Sequence, residues 1–124
     1  MADDASAKGM AIRTQLWGEK QARDGNEFLS QFDPEFAKFL NEELFGKIWQ
    51  RPGLPVKTRS MLTMGALMVL GRSPELRLHM RGALNLGITP AEIKELIIHL
   101  AAYGGVPTAV EAIRAFNEVT APAK

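Results

Sequence analysis

Helix-start punctuation recurs along this chain and leaves little room for any fold but a helical one. Asp33-Pro34-Glu35 places a capping side chain, a proline and an acid where a helix begins. The capping oxygen satisfies a free backbone N–H, and proline's missing donor costs nothing in a first turn. The acid then sits at the positive end of the helix. Ser73-Pro74-Glu75 repeats the signal, and Thr89-Pro90-Ala91-Glu92 repeats it with the spacing of a capping box. Behind Pro34, Phe36, Phe39, Leu40, Leu44 and Ile48 recur at helical spacing. No β-alternation of useful length appears. The expectation is a single all-α domain of six helices, over 10–22, 34–48, 55–71, 73–87, 90–104 and 107–120. Residues 1–9 are expected to form a flexible N-terminus.

Two of these helices carry more apolar surface than one face can hold. Met61, Leu62, Met64, Leu67, Met68, Val69 and Leu70 surround the third, and Ile93, Leu96, Ile97, Ile98, Leu100, Ala101 and Ala102 surround the fifth. A helix apolar all round has to be buried all round. A domain of 124 residues centres one such helix, so the second is expected to meet another subunit. A homo-oligomer follows.

Charge and cysteine content narrow the partners. Lys and Arg number 15 against 14 Asp and Glu, a net charge of +1, and the basic residues are scattered. Nucleic acid as a main partner needs a basic face or stripe, which is missing. The absence of cysteine excludes disulfides, thiolate nucleophiles, Cys-based zinc sites and Fe–S clusters. The start, M-A-D-D-A-S-A-K, lacks the basic-then-apolar pattern of a secretory signal. The longest apolar stretch, 61–70, is too short to span a bilayer. A soluble cytoplasmic protein with no nucleic-acid or membrane partner is expected.

Between the second and third expected helices the chain reads I-W-Q-R-P-G-L-P-V-K-T-R, from Ile48 to Arg59. Two prolines fix φ on either side of Gly53, so this elbow should be ordered. An ordered loop holding Trp49, Arg51 and nearby Arg59 suits a planar, anionic small molecule. Each residue also has a structural reading. Arg51 can cap the preceding helix, Arg59 can pair with Glu42 or Glu43, and Trp49 can pack in a core or interface. Downstream, His79 lies between Leu78 and Met80 with Glu75 one turn back, and His99 follows Glu95 by one turn, close enough to pair. His99 is then a buried histidine tied to a carboxylate, or a functional one. Tyr103, beside Gly104-Gly105, either closes a pocket or hydrogen-bonds across an interface. The two histidines are too far apart in sequence for a local metal pair, and no third ligand is spaced with them. No metal site is expected.

Three segments resemble the carboxymuconolactone decarboxylase family. They are Trp49-Gln50-Arg51-Pro52-Gly53-Leu54-Pro55 with Thr58-Arg59-Ser60, Leu70-Gly71-Arg72 through Leu78-His79-Met80-Arg81, and Glu92 through Pro107. The last reads E-I-K-E-L-I-I-H-L-A-A-Y-G-G-V-P, close to the family's E-(I/L)-x-E-x-(I/L)-x-H-x-x-x-Y-x-G-x-P. With Gly18-Glu19 the likeness runs in order over about 10–120. It implies an all-α alkylhydroperoxidase D-like fold, assembled as a homo-trimer or homo-hexamer. The family's peroxidase branch uses Cys-x-x-Cys-x-x-x-His. Here Arg72 and Glu75 stand where those cysteines would, ahead of His79. Without thiols there is no sulfenate or disulfide to cycle through, so peroxidase activity is not expected.

The other branch implies decarboxylation of γ-carboxymuconolactone in aromatic-compound degradation by the β-ketoadipate route. That chemistry needs no metal or organic cofactor. It needs groups that anchor carboxylates, stabilise charge on the lactone oxygen and return one proton. Arginine suits the first two tasks and histidine the third. The resemblance therefore casts His79 as proton donor, supported by His99 and Glu95. Arg51 and Arg59 would hold the carboxylate and lactone oxygen, with Trp49 and Tyr103 at the substrate. Gln21, Phe45, Lys47, Val110 and Arg114 replace polar or titratable groups usual in the dedicated decarboxylases. These departures point to a related carboxylated lactone as substrate, or to a non-catalytic member that binds a small organic acid.

Overall fold

A helix cannot pass through a residue at φ 88°, and Gly18 adopts that value. The expected first helix over 10–22 is therefore two helices. In the computed structural model, which describes residues 2–122, α1 spans Ala2–Trp17 and α2 spans Glu19–Phe32. Next, α3 (Pro34–Phe39) runs without interruption into a π-wound stretch, Leu40–Ile48. Then come α4 (Val56–Val69), α5 (Ser73–Asn85), α6 (Pro90–Gly104) and α7 (Val106–Thr120). The described residues thus hold seven α-helices rather than six, and no strand. The break at Gly18 accounts for the extra one. The punctuation elsewhere behaves as read. The Asp33 carboxylate accepts from the Glu35 N–H at 2.9 Å. Thr89 and Glu92 form a reciprocal capping box, with the Glu92 N–H on Thr89 Oγ1 at 3.1 Å and the Thr89 N–H on Glu92 Oε1 at 2.9 Å.

The chain gathers into two compact units, one up to Val56 and one from Lys57 onward. In the first, α1 takes in most of the stretch expected to be a flexible N-terminus, and the reason is contact between backbones. A Cβ on Gly9 would lie 1.9 Å from the Asn41 carbonyl oxygen, and one on Gly46 would lie 2.1 Å from that of Ala5. Only hydrogen fits at either position, so α1 and the π-wound stretch lie directly against each other. The π winding is explicit at its end, where the Trp49 N–H reaches back five residues to the Leu44 carbonyl at 3.0 Å. Ile12, Leu16, Ala22, Ala37, Phe45 and Trp49 are the buried apolar residues of this unit. Trp17 meets Phe45 edge-on at 6.0 Å, and Phe45 meets Trp49 at 5.8 Å.

In the second unit Met64, Met68, Leu76, Met80, Ile93, Ile97, Ala112 and Phe116 are among the residues of one buried cluster. Small residues on α7 (Ala109, Ala112, Ala115) let it sit close to its neighbours. Neither of the two apolar helices is enclosed all round within the chain. On α4 the buried residues are Ser60, Met64 and Met68, while Leu62 is 59% exposed. On α6 they are Ile93 and Ile97, while Ile98 is 64% exposed. Both helices keep an apolar outer face. No helix among the described residues is long and apolar enough to cross a membrane.

Candidate active site

His79 stands on the middle of α5, between core residues Leu76 and Met80 on its own helix. It is half-buried, with Nδ1 closed off from water. Removal from solvent penalises the imidazolium and pushes its pKa down to about 4. At neutral pH the free side chain is therefore a neutral imidazole. Glu75, one turn back, is exposed.

Across α4 and α6 runs an open groove of about 740 Å³, within the range of small-molecule sites. Met61, Leu62, Gly65 and Ala66 form one wall and Leu96 and Leu100 the other. Thr58, Glu92, Glu95 and His99 supply its polar atoms. Gly65 shapes the groove, since a Cβ there would lie 3.0 Å from Leu100 Cδ1. Glu92 is engaged in the capping box, where the Thr89 N–H and hydroxyl hold its carboxyl below the usual range. Glu95 and His99 are exposed in the groove and no hydrogen bond or ion pair links them, so the pairing expected from their spacing is not made. His99 instead lies against the Tyr103 ring, 5.4 Å between centroids, and Tyr103 itself is 77% exposed.

The structure thus brings His99, Glu95 and Tyr103 together along α6, and places His79 on α5, outside the residues lining that groove. Arg59 is half-buried on α4, with Nε closed off from water and its carbonyl accepting from Thr63 Oγ1 at 2.8 Å. Glu43, one of its two expected ion-pair partners, is taken by Lys47 at 2.8 Å. Arg51 is exposed in the elbow, its N–H on the Ile48 carbonyl at 3.2 Å. Trp49 is 5% exposed and packs on Phe45, so the structural reading of that residue applies within its unit. Among the family departures, Phe45 is core, whereas Gln21, Lys47 and Arg114 are exposed.

Sequence reasoning passed over three buried polar groups. Ser60 is fully enclosed and its Oγ makes no hydrogen bond. Arg13 and Asn41 are buried together, with Arg13 Nη1 on Asn41 Oδ1 at 3.0 Å. A signal for Arg13 existed, since it lies on the turn between Ile12 and Leu16, inside the apolar stripe of the first helix.

Sequence comparison agrees with this helical layout. The profile of the carboxymuconolactone decarboxylase family matches residues 34–118, from the first residue of α3 into the last turn of α7. The chain belongs to that family. It is also similar to the 4-carboxymuconolactone decarboxylase of Acinetobacter baylyi, 41% identical over 112 residues, which is 90% of this chain and 84% of that enzyme. A second relative is nitrosuccinic acid decarboxylase npaB of Metarhizium robertsii, 36% identical over 106 residues, 86% of this chain and 74% of that enzyme.

Proposed function

We propose that the chain is a carboxy-lyase that removes CO₂ from γ-carboxymuconolactone or a closely related carboxylated lactone, without a metal or organic cofactor. The observation that carries this reading is the 41% identity to a 4-carboxymuconolactone decarboxylase over 90% of the chain. The related nitrosuccinic acid decarboxylase supports decarboxylation as the common chemistry. A carboxylated lactone and a nitro acid share an oxygen that can take up the electrons left when CO₂ departs.

In the reaction the bond from ring carbon to carboxylate breaks heterolytically. Its electron pair spreads to the lactone carbonyl oxygen, and one proton returns to the carbon skeleton. His79 is the proposed donor, and because it rests as a neutral imidazole it first has to take up the proton that it delivers. A bound dianion favours the imidazolium through its charge, so a proton is taken up with substrate and delivered after CO₂ leaves. His99 and Glu95 support that transfer, with Tyr103 beside them. Arg51 and Arg59 hold carboxylate and lactone oxygen by charge-assisted hydrogen bonds, and Trp49 anchors the elbow that carries Arg51. The active protein is a homo-oligomer, trimer or hexamer, in line with the apolar outer faces of α4 and α6.

The test is CO₂ release from freshly generated γ-carboxymuconolactone. Turnover far above the spontaneous rate is expected, with His79→Ala slower by about 10²–10⁴-fold and Arg51→Ala by about 10²–10³-fold. Folded protein without turnover refutes the reaction. Turnover unchanged in both variants refutes the assigned residues.

A further inference from the structure

The packing of the second unit leaves two polar side chains of α6 uncommitted. The other charged groups of that helix are engaged. Glu92 serves the capping box, and Lys94 turns to the α7 side, where Nζ lies 5.6 Å from the centre of the Phe116 ring. Glu95 and His99 are exposed, and neither makes a hydrogen bond or ion pair among the described residues. An acid and an imidazole one turn apart on a helix are placed to pair. Here each offers its polar atoms to the groove between α4 and α6 instead.

The groove has the form that a helix fills. Gly65 and Ala66 are small on its α4 wall, and Leu62 on the same wall stays mostly exposed. Beside it, Ala91, Glu95, Ile98 and Ala102 recur at helical spacing along α6 and all are exposed, so they form an outer ridge. One large apolar residue flanked by small ones is a ridge that enters a groove between two helices. The chain thus carries both the ridge and a groove to take it. Two copies related by a two-fold axis near Ile97 lay their α6 helices antiparallel. The ridge of each then enters the groove of the other. Positions equidistant from the axis face each other, so residue 95 of one copy meets residue 99 of the next.

We propose that the α4–α6 groove is a two-fold interface with a second copy of this chain, in which Glu95 of each copy accepts a hydrogen bond from the partner's His99. A copy of the same face answers every feature at once. It covers Leu62 and Ile98, gives Glu95 a donor and gives His99 an acceptor. The contact is made twice, and it holds with the imidazole neutral or charged, since either form has an N–H to donate. The inference rests on the homo-oligomer of the proposed function and not on its reaction. It also chooses between the two assemblies, because a ring of three has no two-fold axis and a hexamer built from two such rings does. The acid beside each His99 is then supplied by the neighbouring subunit.

The experiment is analytical ultracentrifugation of the full-length protein at neutral pH over a range of concentrations. The parent should contain an even number of copies. His99→Glu sets two carboxylates together on each side of the axis and should weaken the two-fold contact about tenfold or more, with half the parent's mass at low concentration. Glu95→Lys combined with His99→Glu exchanges the charges and should restore the parent's mass. Both side chains are exposed, so the helical fold survives each change, as circular dichroism checks. The chain has no cysteine, so Ile98→Cys treated with a short bismaleimide gives a second reading. Covalent dimers are expected, and adding His99→Glu should abolish them. The proposal is overturned by a parent that is a monomer or a trimer, by His99→Glu assembling as the parent does, by a double variant that stays dissociated, or by Ile98→Cys that yields no dimer. Carbon dioxide release is read separately on the parent. An even assembly without turnover upholds the contact and refutes only the reaction, and turnover by a trimer does the reverse.

Discussion

Lowering the pH should unfold this protein partly through His79, and replacing that residue by glutamine isolates the effect. Burial holds the folded-state pKa at about 4, against an ordinary value of 6.5. On acidification the unfolded chain accepts a proton first, so stability is full above pH 6.5. It then falls as the pH drops towards about 4 and is level below that, where both states carry the proton. The interval between the two values corresponds to an upper bound of about 3 kcal/mol, a large part of the stability of an ordinary domain. The remaining exposure of His79 lowers that figure, because water near the ring screens the charge. The assay is urea denaturation of parent and His79→Gln at a series of pH values from 7 to 4. Every other titratable group is common to both proteins, so the difference between the two curves reports on His79 alone. The parent should lose stability relative to the variant across that window. Parallel curves would show that the imidazole is not desolvated in the fold, and would remove the argument that its proton arrives with the substrate.

Other consequences follow from contacts already described. Gly9→Ala sets two effects against each other: alanine gains about 1 kcal/mol of helix propensity, but its Cβ would meet the Asn41 carbonyl at 1.9 Å. Backbone cannot rotate away, so overpacking of about 3 kcal/mol should win, seen as a lower urea midpoint. A variant as stable as the parent would refute the close packing of α1. Thr89→Ala removes the oxygen that caps α6 and should cost about 1 kcal/mol without altering the α-helical circular dichroism of the folded state. A cost near zero would mean that the capping box is not formed in solution.

Much of the second unit was legible in sequence. Pro74, Pro90 and Pro107 each stand in the first turn of a helix, because a missing N–H and a fixed φ act on their immediate neighbours. The family motifs were equally legible, being runs of adjacent residues. Less could be read in the first unit. Gly18 was visible as a glycine but not as a residue at φ 88°, since glycine is tolerated inside helices as well as at their ends. The π winding of Leu40–Ile48 leaves no local signature, because it depends on how α1 presses on Gly46.

The candidate site divides in the same way. His79 and His99 were recognisable by spacing, and each lies on the helix expected. That burial strips His79 of its charge, while His99 stays exposed beside Tyr103, depends on which side of each helix meets the core. Glu95 and His99 have the spacing of a pair, yet remain apart because both side chains can reach solvent. Arg13 is the clearest case. Its position in an apolar stripe was visible, but a cation there ordinarily reaches back out to water. Only the packing of α2 and the π-wound stretch around it encloses the guanidinium with amides in place of a carboxylate. Sequence alone determined the helical class and the family, and singled out candidate residues, because each is written in neighbours along the chain. Tertiary structure alone decided which of those residues keep their charge, their water and their partners, because burial is a property of distant segments brought together.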